Sequence, residues 1–292
     1  MCCTAMRWPA FDIPPFFRKT AMPISPSHTA DSDHSDHSEE GHAGHKVSVR
    51  DRVFAQLREV ALPDSRFHYD FGEFIADFQG SSAATDRLMA HRFYQQARCI
   101  FITPDNCLEE LRYRTLCDGK LILMTTYSIK RGFWLLDPAT IAKDRYWHAA
   151  TLDGMERHGR PVSLADIRAH LPALDYMITG TGAINEDGVR FGKGHGFFDA
   201  EWGMLYRIGT ISSATPTAAL VHDCQLLTET LHPEIFDTVA DAIFTPTRTI
   251  EVSNPHKPRC GIVWDLLDPH MLATIPPLQE LQAMESALPA LA

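Results

Sequence analysis

The ten residues from Arg190 to Asp199, RFGKGHGFFD, carry the densest chemical signal in the chain. Gly192, Gly194 and Gly196 alternate with Lys193 and His195 just ahead of a helical pattern. Bare backbone amides and a helix N-terminus can therefore converge on an anion with no Cβ in the way. That is the chemistry of a phosphate loop. Asp199 stands at the head of the helix, where a carboxylate beside a phosphate leaves a place for Mg2+ between the two. The segment is not a Walker A loop, because no GK[ST] closes it, and GxGxG in place of GxGxxG separates it from a dinucleotide fingerprint. Taken alone, the three glycines also describe a plain flexible turn, and Asp199 a simple helix cap. His222, Asp223 and Cys224 invite a Cys/His nucleophile, but consecutive strand residues face opposite ways, so they cannot serve one site without a bend. Phe133, Trp134, Tyr146 and Trp147 could line a ring-binding pocket, although core packing is the commoner use of such residues.

The elements that must hold this loop are legible from periodicity. Val49, Val53, Leu57 and Val60 recur at helical spacing and stop before Pro63. A second helix is expected from a Ser81 or Ser82 cap through Leu88, Phe93 and Ala97, ahead of the apolar strand Cys99 to Ile102. A third runs through Leu108, Leu111 and Thr115 to Gly119, followed by the strand Leu121 to Met124. Residues 125–162 fit no regular pattern. Ser163 caps a short helix, and Asp175 to Gly180 form a strand ahead of an Asp187-Gly188 turn. A helix from about Asp199 to Ile208 ends at Gly209, two strands lie near Thr217 to Asp223 and Asp241 to Pro246, and an amphipathic segment spans Leu278 to Leu288. Helices alternating with short continuous apolar strands predict a three-layer α/β domain with a mostly parallel sheet, whose ligands bind beyond the carboxyl ends of the strands.

Composition narrows the function classes. The 292 residues carry a formal net charge of -10, which disfavours nucleic acid or an anionic membrane surface as the main partner and leaves any anionic ligand to a local basic site. The seven cysteines form no CxxC pair, and no run approaches the roughly 18 apolar residues of a membrane helix, so the reading is a cytoplasmic protein. Residues 1–45 read as a disordered, His-rich tail, residues 46–255 as the α/β domain, and residues 256–292 as a C-terminal extension. The tail histidines His28, His34, His37, His42 and His45 lack the fixed surroundings of a specific metal site.

Gly192 to Asp199 resembles the GRGKGYYD-type loop of the 5-formyltetrahydrofolate cyclo-ligases, also called methenyltetrahydrofolate synthetases. The resemblance extends from residue 46 to about residue 252. Lys46 and Arg50 sit at the spacing of the family's N-terminal nucleotide-binding basic residues, and Asp118-Gly119-Lys120 is similar to its GK step. Asn185 to Gly188 with Arg190 is similar to its DxxGxRLG approach. Val221 to Gln225, and Phe236 to Asp241 followed by Thr245-Pro246, resemble its closing pattern. Ile75 to Ser81 is similar to a segment of the divergent methenyltetrahydrofolate synthetase domain branch.

The resemblance implies a NagB/RpiA/CoA-transferase-like fold and ATP- and Mg2+-dependent closure of 5-formyltetrahydrofolate to 5,10-methenyltetrahydrofolate. It implies that Lys46, Arg50, Arg190, Gly192, Gly194, Gly196 and Phe197 hold the nucleotide, that Lys193 and His195 act on substrate, that Asp105 contacts the reduced folate, and that Asp199 and Asp237 hold Mg2+. Where the family has a Tyr pair and a following Arg, this chain has Phe197, Phe198 and Ala200. Those changes keep two alternatives in view: a noncatalytic folate- or nucleotide-binding protein on this scaffold, and a sugar-phosphate or acyl-CoA enzyme of the wider fold group.

Overall fold

The structure is a computed structural model that describes residues 49–192 and 196–287. The expected tail, together with Lys46, Lys193, Gly194 and His195, lies outside the described residues. In chain order the elements begin with helix α1 over 49–57, α2 (Ser81–Ala90), α3 (Arg92–Gln96), β1 (Cys99–Ile102), α4 (Glu109–Cys117) and β2 (Leu121–Thr125). They continue with β3 (Phe133–Leu136), α5 (Tyr146–Ala150), α6 (Met155–His158), β4 (Arg160–Val162), α7 (Leu164–His170) and β5 (Tyr176–Thr179). Next come β6 (Ala183–Asn185), β7 (Arg190–Phe191), α8 (Phe197–Arg207), β8 (Thr217–Leu220) and β9 (Leu226–Leu227). The last are β10 (Ala242–Phe244), β11 (Thr249–Glu251), α9 (Pro269–Thr274) and α10 (Pro276–Ser286).

Eight strands form one sheet in the order β11-β10-β8-β5-β1-β2-β3-β4. The inner pairings from β10 to β2 are parallel, and antiparallel strands close both edges. Successive residues of a strand point to opposite faces, and β1 shows why it had to be apolar throughout. Ile100 and Ile102 pack into the cluster that holds α2, α4 and α5, whereas Cys99 and Phe101 pack into the cluster that holds α7, α8 and α10. The three-layer α/β architecture expected from the sequence is the one observed. A smaller sheet, β7-β6-β9, stands beside the main one and packs against Val49 and Val53 of α1.

Three local expectations are corrected. The second helix starts at Ser81, within the expected bounds, but its N-cap is Gly80 and not a serine: Gly80 adopts φ +84, and a Cβ there would come within 3.0 Å of Pro246 Cβ. The same helix breaks at His91, whose extended backbone and Nδ1 start α3 by accepting the Phe93 amide at 3.4 Å. The helix after the glycine loop starts at Phe197, two residues earlier than expected, which places Asp199 inside the first turn and not at the cap. Residues 125–162, patternless in sequence, supply the antiparallel strands β3 and β4 and four short helical elements. The Ser163 cap is present as a full capping box with Asp166.

Residues beyond 255 pack onto the same core through Ile275, Leu278 and Leu281, all 1% exposed or less. Lys257 fastens their start. Its ammonium is buried, pairs with Asp241 Oδ2 and donates to the Thr215 carbonyl, while Asp241 also accepts the Thr217 amide at 2.6 Å. Removing one partner of a buried pair leaves the other charge uncompensated. Lys257→Met is therefore expected to cost about 3 kcal/mol in chemical denaturation. A loss below about 0.5 kcal/mol would show that the pair does not anchor the segment.

Candidate functional site

A cleft of about 480 Å3 opens where β1, β2 and β5 end. From β1 the chain crosses through α4 to β2 on one side, and from β5 it crosses through α8 to β8 on the other. The carboxyl ends of β1 and β5 thus diverge at the switch point of the sheet, the place where open parallel sheets receive ligands. Thr103, Thr125 and Thr179, one residue at each strand end, line the opening.

The turn after β1 is locked from beneath. Arg112 is fully buried; its Nε donates to Ala150 O at 2.6 Å, and its Nη1 donates to Thr103 O at 2.7 Å and Asp105 O at 3.0 Å. Burial pulls its pKa below the usual arginine range. The fixed turn aims Asp105 at the next strand, where Asp105 Oδ2 accepts the Gly180 amide at 2.9 Å and the Thr103 hydroxyl. Gly180 is required by this approach, since a Cβ would lie 2.8 Å from both Cys107 Sγ and Ile75 Cγ2.

Asp199 and Arg190 meet on the far side. Arg190 Nη2 donates to Asp199 Oδ1 at 2.6 Å, and the side chains are 7% and 13% exposed. The same oxygen accepts the Thr238 amide at 2.8 Å, and the guanidinium lies 4.4 Å from the Phe198 ring centroid. One carboxylate therefore ties β7, α8 and the loop carrying Asp237 together. Asp237 also lines the cleft, and its Oδ2 accepts the Glu234 amide at 2.9 Å. Gly192 and Gly196 border the same space; a Cβ built on either would meet nothing within 4 Å. Phe197 and Phe198 complete that side.

Of the sequence-predicted site residues, Asp105, Arg190, Gly192, Gly196, Phe197, Asp199 and Asp237 come together around this cleft. Arg50 does not. It lies on α1, whose Val49 and Val53 pack against the smaller sheet, and it is not among the residues lining the cleft. Nor do the aromatic residues raised as a pocket: Phe133 and Tyr146 are core, Trp134 packs against it, and Trp147 is half exposed against Tyr113. The ring-lined surface comes instead from Phe67, stacked on Phe74 at 5.3 Å and on Tyr127 at 5.1 Å. The run FHYDFGEF was the available signal, five aromatic or histidine residues in a stretch with no helical or strand period.

Sequence reasoning also missed Glu201. It lies on the buried side of α8 with Phe198, Trp202 and Leu205, lines the cleft, is 2% exposed, and accepts the Thr125 hydroxyl at Oε1. A carboxyl placed among an apolar helical stripe was the signal. His222 and Cys224 form no nucleophile pair: the His222 ring accepts the Cys224 amide at 3.2 Å, and burial pushes the Cys224 thiol up to about 11.

Residues 42–246 match the model of the 5-formyltetrahydrofolate cyclo-ligase family. The chain belongs to this family. Among curated proteins it is similar to the methenyltetrahydrofolate synthase domain-containing proteins of Bos taurus and Homo sapiens, each 30% identical over 244 residues that make up 82% of this chain and 62% of the relative. The Danio rerio protein of the same name is 29% identical over 215 residues, 72% of this chain and 55% of that one. The chain thus spans less than two thirds of the length of these relatives. Among solved structures it is similar to the NMR structure of Aquifex aeolicus 5,10-methenyltetrahydrofolate synthetase, with 15% identity, a TM-score of 0.45, and coverage of 73% of this chain and 95% of that one. No helix among the described residues is long and apolar enough to cross a membrane.

Burial raises the Glu201 carboxyl from 4.5 to about 8, against the Thr125 hydrogen bond, with Asp105 and Asp199 adding repulsion and Arg190 opposing it. The folded protein therefore keeps a proton that the unfolded chain has lost between pH about 4.5 and about 8, and stability falls as pH rises through that window. Glu201→Gln removes the effect. Its melting temperature should gain on the wild type across that window and run parallel to it at lower pH; parallel curves throughout would show that Glu201 titrates normally.

Proposed function

We propose that this member of the cyclo-ligase family closes 5-formyltetrahydrofolate to 5,10-methenyltetrahydrofolate at the expense of ATP, or carries out a closely related reaction on a reduced folate. The observation that carries this reading is the junction of open glycines and paired acid at the head of α8, set at the switch point of the sheet.

The residues suit a nucleotide with its metal. Gly192 and Gly196 leave open space beside their backbone, as a phosphate cradle needs, and Asp199 and Asp237 offer the hard oxygens that Mg2+ takes from one or two carboxylates when phosphates complete its shell. Bound there, ATP would supply the phosphoryl group that turns the formyl oxygen into a leaving group. Arg190 orients the Asp199 carboxylate and sets positive charge beside the anion, and the family resemblance gives Lys193 and His195 a part in handling the substrate. Asp105, held by Thr103 and Gly180, presents a carboxylate to the reduced folate, and the stacked Phe74-Phe67-Tyr127 surface offers a flat apolar face to a ring. Arg50, away from the cleft lining, has no part in this assignment.

Phosphate release from ATP, followed with and without 5-formyltetrahydrofolate alongside the rise of methenyl absorbance, tests the proposal. Turnover that requires both compounds supports it. Binding without turnover would favour a noncatalytic binding protein, and no response to folate would reject the reading. Asp199→Asn keeps an acceptor for the Thr238 amide but weakens metal binding and leaves the buried Arg190 without its countercharge, so the melting temperature should drop and turnover, measured where the variant is still folded, should fall on the order of 100-fold. Wild-type turnover in that variant would remove Asp199 from the metal site.

A further inference from the structure

The family match ends at residue 246, yet the cleft continues to be built beyond it. Pro258, Cys260, Ile262, Val263, Leu267 and Met271 line it, and Leu266 stands at its rim with 58% of its surface exposed. This segment is fitted to α8 at backbone range. A Cβ on Gly203 would come within 2.8 Å of Ile262 Cδ1 and 3.3 Å of the Gly261 carbonyl carbon, and a Cβ on Gly261 within 3.0 Å of Arg207 Cβ. Two glycines, one from each side, are what permit the approach. Lys257 fixes the start of the segment, and Trp264 Nε1, donating to Glu285 Oε2 at 2.9 Å, ties it to α10. Ile262, Leu267 and Met271 join Phe197, Phe198 and Trp202 in one apolar cluster.

The division of labour is chemical. The charged groups of the cleft named above, Asp105, Arg190, Asp199, Glu201 and Asp237, all lie inside the matched region, whereas the added segment presents a mainly apolar surface. Its Asp268 is spent on α9, where Oδ1 accepts the His270 amide at 2.8 Å. Phosphates and their metal call for charged groups and bare amides, which the matched residues supply. The mainly apolar surface added beyond them suits a ring and falls to the other ligand.

We propose that residues 258–271 form a specificity wall that contacts the ring portion of the non-nucleotide substrate and so sets which substrate the cleft accepts. On the cyclo-ligase reading, on which this rests, that substrate is the reduced folate.

Two measurements decide it. Leu266→Ser removes an apolar contact from an exposed position, so the core should be untouched. The KM for 5-formyltetrahydrofolate should rise about tenfold, with kcat, the KM for ATP and the melting temperature within about twofold or a degree or two of wild type. Cys260 reports on the same wall: peptide-level mass spectrometry should show its alkylation slowed by 5-formyltetrahydrofolate alone and not by ATP alone. A higher KM for ATP, or protection by ATP and not by folate, overturns the assignment. Turnover in the wild type with unchanged KM and no protection overturns the wall and leaves the cyclo-ligase reading standing. Protection by folate without turnover keeps the wall and rejects the cyclisation; neither protection nor turnover rejects both.

Discussion

Strands β1 and β5 lie side by side in parallel, and the chain leaves them towards opposite edges of the sheet. Everything at the site follows from that divergence. Two adjacent strand ends part company, their backbone groups are no longer covered by a crossing chain, and a cleft opens between the helices that carry the chain away. Leaving such a gap is costly unless the exposed amides find partners. Asp105 supplies one, accepting the Gly180 amide from the neighbouring strand, and Arg112 holds the Asp105 turn by its carbonyls from inside the core. This side of the cleft is therefore fixed by hydrogen bonds that tie the turn after β1 to the end of β5 and to the core.

Within this frame the carboxyl groups occupy contrasting surroundings. Asp199 faces an arginine and a backbone amide, whereas Glu201, two residues further along the same helix, has a hydroxyl partner and an apolar enclosure. The enclosure lets Glu201 keep a proton in the folded state up to about pH 8. Ala200 follows Asp199 on α8, and Arg190 reaches Asp199 from β7. Positive charge beside the acid is thus delivered from another element.

The fold was largely readable. Cys99 to Ile102, Leu121 to Met124 and Tyr176 to Thr179 are continuous apolar runs because both faces of a parallel sheet are covered, and that makes them visible without knowing their partners. The edge strands β4 and β11 were invisible for the converse reason. Each has three residues, pairs on one side, and carries residues such as Arg160, Pro161 and Glu251 that no strand pattern selects. The site was half readable: glycine spacing marked the loop, while Glu201 and the Phe67, Phe74 and Tyr127 surface are assembled from segments up to 134 residues apart, from Phe67 to Glu201.

The sequence by itself determined the three-layer class, the family, and the loop with its acid, because periodicity and glycine placement are local properties that a chain carries before it folds. The tertiary structure alone decided that Arg190 grips Asp199, that Glu201 is enclosed, and that residues 258–271 border the cleft. Those facts depend on distances between segments far apart in the chain, and only packing sets such distances.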